Sequence, residues 1–250
     1  PEPGAAYWPP APSDSYVSEL AREPAKLRIG LITASPMGTP VHQDNLDAVS
    51  KAAALCRSLG HEAREAVLPE PFSKLMESFG FLSIVGVCSQ IRERARELGR
   101  EPDPDDLEPV VLGYYKMAPS ISALDYEAAR QSVQRLGFTM NTFMQDIDVL
   151  LMPMAPRAPW KVDDVTLVMP TEEFYRKAVG YSDFSAIFNA TGQPAMTLPL
   201  HENAAGIPVG THFAARYGDE KTLIRLAAQI ERAAPWDKRV SPLLAQAMKA

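Results

Sequence analysis

Leu27-Arg28-Ile29-Gly30-Leu31-Ile32-Thr33 is the stretch on which the fold turns. It is short, mostly apolar and closed by a turn at Ser35-Pro36-Met37-Gly38, so it reads as a strand. Beyond the turn, Leu46, Val49, Ala53 and Cys56 keep helical three-and-four spacing, which predicts an amphipathic helix opening at Asp44. Leu59-Gly60-His61 ends that helix, with Gly60 as a left-handed cap. Residues 62–68 then return as a second strand. Strand, helix and strand in this order form a βαβ unit, and such units build parallel sheets.

Working outward, residues 1–26 are rich in Pro, Ala and Ser with scattered aromatics, a composition suited to an extended arm. Residues 72–147 read as a helical insertion, broken by the acidic turn Glu101-Pro102-Asp103-Pro104-Asp105-Asp106. Its last helix carries Tyr126, Ala129, Val133, Leu136, Met140 and Phe143 as one stripe. Asp148-Val149-Leu150-Leu151-Met152-Pro153 is a buried strand. Residues 155–170 form a proline-punctuated surface loop, and a helix is expected from about Glu172 to Phe188. Ala195–Leu200 and Val209–Ala214 are strands of a hairpin joined through Glu202–Gly206, and Asp219 caps a closing helix. The organisation is one α/β layer with a helical insertion.

Composition narrows the function classes. The 250 residues are 46% hydrophobic and 22% charged, ordinary for a soluble globular chain. A net charge of -6 argues against a nucleic-acid partner, and none is expected, because phosphate recognition needs clustered Lys and Arg. Arg92 to Arg100 alternates with Glu93 and Glu97, a salt-bridged helix surface. No stretch of about 18 uncharged apolar residues is present, so no membrane span is expected. Cys56 and Cys88 both sit in apolar helical patterns, so a reducing cytoplasm is the expected location. The start, Pro1-Glu2-Pro3-Gly4, is neither a signal peptide nor an ordinary translation start, and the chain is expected to be part of something longer.

The search for reactive groups is equally informative. There is no Gly-x-Ser-x-Gly elbow, no Ser-x-x-Lys and no Gly-Ser or Ser-Ser dipeptide. His42, His61, His201 and His212 lack metal-ligand spacing and read as structural or solvated; no metal and no cofactor is expected. Asp105-Asp106 and Asp163-Asp164 are loop carboxylates that point into water, and Ser182-Asp183 reads as helix surface. In Phe188-Asn189-Ala190-Thr191-Gly192-Gln193-Pro194-Ala195, Gly192 can take positive φ where the chain reverses. Asn189 and Thr191 offer polar groups there that can support a neighbouring loop.

That block, followed by Gly206-Ile207-Pro208-Val209-Gly210 and Gly218-Asp219-Glu220-Lys221-Thr222-Leu223, resembles the carboxy-terminal part of amidase-signature enzymes. Pro36-Met37-Gly38-Thr39-Pro40-Val41, Leu59-Gly60-His61-Glu62 and Asp148–Pro156 match further family segments in order, and the Pro10 region resembles the linker after the signature. The motifs look nearest to bacterial hydrolases of the cyclic aminohexanoate-dimer type. The resemblance implies an α/β/α sandwich with a mixed sheet and helical insertion, of which residues 1–250 form the carboxy-terminal portion. It also implies amide hydrolysis by a nucleophilic Ser, a second Ser in a cis peptide and a Lys, through an acyl-enzyme. Those residues belong to a block preceding residue 1, so no catalytic residue is assigned in this chain. Core packing is the first reading for Phe79, Phe81, Ile84 and Cys88, with a pocket-wall role as the functional alternative, and supporting roles fall on Asn189, Thr191 and Gly192. The implied partners are a small-molecule amide and the amino-terminal half of the same enzyme; a homodimer is left open. An inactive amidase-derived binding or scaffolding module and a glutamine-amidotransferase-like subunit are the alternative readings.

Half of a shared sheet leaves apolar surface uncovered. The 250 residues expressed alone are therefore expected to aggregate or stay partly unfolded. Light scattering with a thermal melt checks this, and a sharp cooperative transition of a soluble monomer would contradict it.

Overall fold

A computed structural model describes residues 14–69, 72–178 and 180–236. The expected arm lies partly outside these residues, as do Pro10 and its surroundings. Where it is described it is not simply extended: Tyr16–Glu19 make a one-turn helix, α1, capped by Ser15. Glu19 is buried and ion-paired with Arg225.

The βαβ unit is present as read. Strand β1 (Arg28–Leu31), helix α2 (Gln43–Ser58) and strand β2 (Glu62–Glu65) follow in order, and β1 and β2 pair in parallel. The cap of α2 is His42, whose Nδ1 accepts from Asp44 N at 3.3 Å; Asp44 sits inside the first turn. Three helices come next: α3 (Ser73–Leu98), α4 (Pro109–Met117) and α5 (Ala123–Phe143). Ser122 and Asp125 open α5 with a reciprocal capping box. Ala129, Leu136 and Met140 of the α5 stripe are buried, whereas Tyr126 is exposed.

Strand β3 (Val149–Pro153) is buried at every position. A single helix over 172–188 is not formed. The chain makes α6 (Thr171–Ala178), breaks, and resumes as α7 (Ala186–Thr191). Gly180 lies in the break at φ +87, a left-handed conformation that no helix continues through. Added bulk there would meet Thr39 Oγ1 at 2.8 Å, so the break also lets two loops approach. Strands β4 (Ala195–Glu202) and β5 (Pro208–Ala215) form the hairpin, and α8 (Glu220–Ala233) closes the described chain. Asp219 stands at the cap position of α8 and accepts from Thr222 Oγ1 at 2.7 Å, with no bond to a helix backbone N–H.

The five strands lie in the order β2-β1-β3-β5-β4, parallel across β2, β1 and β3 and antiparallel from β3 through β5 to β4. Helices α2 and α8 cover one face through Val49, Ala53, Leu223 and Leu226 against Ile29, Leu151 and Phe213. Helices α5 and α7 cover the other through Leu136, Met140, Ile187 and Phe188 against Leu150, Met152 and Ala214. This is an α/β/α sandwich on a mixed sheet. Edge strand β2 is short and mostly exposed, and β4 carries Pro199 and an irregular register between Leu198 and His201, features that blunt an edge. The uncovered surface is instead a face: Ala195, Thr197 and Pro199 of β4 are exposed. Among the described residues no helix is long and apolar enough to cross a membrane.

One ionic cluster ties the amino end of the sheet. Asp148 accepts from Arg28 N at 2.8 Å, from the Arg28 guanidinium at 2.9 Å and from Arg216 at 2.9 Å, linking the starts of β1 and β3 to the end of β5. These donors hold the Asp148 carboxyl below the usual carboxylate value. A depressed folded value means stability is full above the unfolded value of about 4 and is lost as pH falls below it. Asp148→Asn is expected to destabilise the native protein by roughly 1–3 kcal/mol near neutral pH and to flatten its acid limb. Urea melts at several pH values check this; an unchanged acid limb would contradict it.

Candidate active-site cleft

In open α/β sheets, ligands gather outside the carboxyl ends of the parallel strands. Here those ends release two loops. After β1, residues 32–39 fold around Ser35, whose Oγ accepts from Met37 N at 3.1 Å and Thr39 N at 3.2 Å. The Ser35 hydroxyl donates to the carboxylate of Asp183. After β3, the loop is pinned to the start of α2: His42 N donates to Pro156 O at 2.7 Å, and buried Asn45 donates its amide to Ala155 O. The same loop runs on to Trp160, which stacks on Tyr181 with ring centroids 4.2 Å apart.

Between the Ser35 loop, α3, α6 and the 180–186 segment lies an open cleft of about 520 Å³. Phe79, Phe81 and Ile84 of α3 line one side, and Phe174, Tyr175 and Ala178 of α6 the other. Met37, Gly180, Ser182 and Asp183 form the floor, and Glu77 stands at the α3 side. Phe79, Phe81 and Ile84 thus come together, half-buried and outside both core clusters. Cys88 is elsewhere: it is buried beside Val85, Ile121 and Tyr126 in a separate hollow, and desolvation pushes its thiol up. Cys56 is fully buried and its thiol is pushed up to about 12, which makes it an apolar core group.

Asn189 is exposed on α7, and no hydrogen bond among the described residues reaches its side chain. Thr191 Oγ1 donates to Gln193 Oε1 at 3.0 Å, and Gly192, at φ +73, ends α7. The turn is held by Gln193, which sequence reasoning did not single out: it is buried and donates to Ala215 O at 3.3 Å. Asp183 was expected on a helix surface and is instead 4% exposed. Its cause is the break at Gly180, which turns Asp183 inward next to fully buried Phe184. No local sequence signal marked it, because the break rests on a single backbone angle.

Three histidines are tied into the fold: His42 caps α2, His61 accepts from Leu27 N and meets Gln229 at 2.8 Å, and His201 stands 3.4 Å from Lys51 Nζ. His212 is buried on β5 against Phe188, with Nδ1 3.2 Å from Thr197 Oγ1 and Nε2 without a partner among the described residues. Among the described residues no three His, Cys, Asp or Glu side chains stand close enough to hold a metal ion.

With this geometry in view, the chain belongs to the amidase family: the family's model, described as Amidase, matches residues 2–224. The 6-aminohexanoate-cyclic-dimer hydrolase of Paenarthrobacter ureafaciens is 27% identical over 97% of this chain and 51% of its own length. Putative amidase AmiB2 of Mycobacterium tuberculosis is 29% identical, over 92% of this chain and 48% of its own. A solved 6-aminohexanoate cyclic dimer hydrolase superposes with a TM-score of 0.89 at 26% identity, covering 97% of this chain and 52% of that one. A bacterial aryl acylamidase shares the fold at 18% identity with a TM-score of 0.72. The chain spans about half the length of the curated relatives it matches.

Burial lowers the His212 imidazole from its ordinary 6.5 to about 4. The unfolded chain then binds more protons between these values, so stability is full above about 6.5 and falls as pH drops toward 4. His212→Gln is expected to remove most of that loss, roughly 2–3 kcal/mol across the window. Chemical denaturation from acid to neutral pH checks it; parallel curves for both proteins would contradict the assignment.

Proposed function

We propose that this chain is the substrate-facing, carboxy-terminal half of an amide hydrolase whose nucleophilic Ser, bridging cis-Ser and Lys lie in an amino-terminal half of the same enzyme. The observation that carries the reading is the superposition on 6-aminohexanoate cyclic dimer hydrolase, which takes in 97% of this chain and 52% of that one. An aromatic cleft at the carboxyl end of the sheet, without a nucleophile–base pair among its described lining residues, supports it.

In the proposed reaction the nucleophilic Ser Oγ attacks the amide carbonyl carbon while its proton passes through the bridging Ser to Lys. Backbone N–H groups hold the resulting oxyanion. The C–N bond then breaks as the amine takes the proton, and water hydrolyses the acyl ester to regenerate Ser. No cofactor is required. In this scheme the helices of 72–147 shape the pocket, and Phe79, Phe81 and Ile84 give it an apolar wall. Ser35 and Asp183 fix the adjoining loop, and the Asn189–Gly192 turn supports the loops of the other half. The substrate is a small amide, with the cyclic dimer named for the relatives as the first compound to try. Free, buried Cys56 and Cys88 fit a cytoplasmic enzyme.

Amine release from 6-aminohexanoate cyclic dimer and from simple acyl p-nitroanilides tests the reading. The chain joined to its amino-terminal half is expected to turn over at least one of them, with an initial burst of p-nitroaniline, and the 250 residues alone to be inert. Equal turnover by the isolated chain would contradict the division of labour. Ligand binding without hydrolysis by the joined protein would favour the inactive binding module.

A further inference from the structure

Asp183 keeps one acceptor oxygen that no described neighbour uses. Its side chain is 4% exposed, and among the described residues one hydrogen bond reaches it, from Ser35 to Oδ2. A carboxylate has about four acceptor positions, so acceptor capacity is left over for a donor that enters the cleft. Oδ1 has no donor among the described residues, although Asp183 lines the cleft.

The rest of the cleft has the same sign. Glu77 is the second ionisable group on its wall, and no Lys or Arg lines it among the described residues. Of the two cations on α6, Lys177 is engaged elsewhere, 2.9 Å from Glu173 and 3.3 Å from Asp164 O, and Arg176 is not among the lining residues. Phe79, Phe81 and Phe174 add ring faces, whose quadrupoles present negative charge to whatever enters. Two carboxylates and several aromatic rings around about 520 Å³ make a field that attracts an organic cation and repels an anion.

We propose that the cleft receives the ammonium end of the substrate, with Asp183 Oδ1 accepting an ammonium N–H, Glu77 adding charge and the rings packing along an aliphatic chain. The substrate class is then a small amide that bears an alkylammonium group, with uncharged analogues second and carboxylate-bearing ones excluded. This deepens the hydrolase reading above and takes its substrate end from it.

The test is calorimetric titration of the native protein, the chain joined to its amino-terminal half, with n-hexylammonium, 1-hexanol and hexanoate at fixed ionic strength near neutral pH. The ammonium is expected to bind about tenfold tighter than the alcohol, and hexanoate more weakly than either. Asp183→Asn keeps an acceptor for Ser35 and removes the charge, so it is expected to bring the ammonium-to-alcohol preference close to one. Glu77→Gln, at an exposed position, is expected to lower that preference about twofold. If a melt shows Asp183→Asn unfolded, the wild-type series and Glu77→Gln decide. Equal binding of the three probes by the native protein overturns the proposal, as does a folded Asp183→Asn with its preference intact. Because binding needs no turnover, the outcomes separate: charge discrimination without amide hydrolysis defeats the hydrolase reading alone, and hydrolysis without discrimination defeats this inference alone.

Discussion

Strand β3 has no solvent face, and the rest of the molecule follows from that. Val149 and Leu151 point into the core shared with α2 and α8, while Leu150 and Met152 point into the core shared with α5 and α7. A strand apolar on both sides is stable only between two layers, so it requires helices above and below. It also requires partners along both edges, which β1 supplies in parallel and β5 in antiparallel register. Asp148, one residue ahead of the strand, locks this arrangement at the end away from the cleft.

The site inherits its position from the same strand. Parallel β1 and β3 release their loops at one end, and each loop is anchored by a buried polar residue, Ser35's carboxylate partner Asp183 in one case and Asn45 in the other. The helices of 73–143 and α6 then rise beside those loops and leave a cleft between them. On the far side of the hairpin, β4 keeps an exposed face at Ala195, Thr197 and Pro199, next to exposed Asn189. In the proposed assembly that face is where the amino-terminal half packs.

Much of this was legible in the sequence because it depended on periodicity. The α2 and α5 stripes have a spacing that a helix satisfies, and the run 149–153 is too short for a helix and is stopped by proline. Motif order carried the family. What was not legible depended on one backbone angle or on contacts far apart in the chain. The 172–188 segment has helical composition throughout, and only Gly180's left-handed φ, which accommodates the Thr39 loop, splits it. Asp183's burial follows from that break, so it could not be read from local pattern. Phe79, Phe81 and Ile84 were visible as an apolar group, but the opposing wall of Phe174 and Tyr175 is 90 or so residues away and appears only in three dimensions. Cys88, on the same helix, faces another hollow because its position falls on the α5 side.

The central claim is that a second segment completes this sheet and brings the reactive hydroxyls with it. Amide hydrogen exchange across residues 186–202, compared between the isolated chain and the chain joined to an amino-terminal half, addresses it most directly. The account predicts that β4 and the Asn189–Gly192 turn gain strong protection on joining, more than any loosening of the isolated chain as a whole gives β3. Exchange in β4 that is identical in the two forms would contradict it.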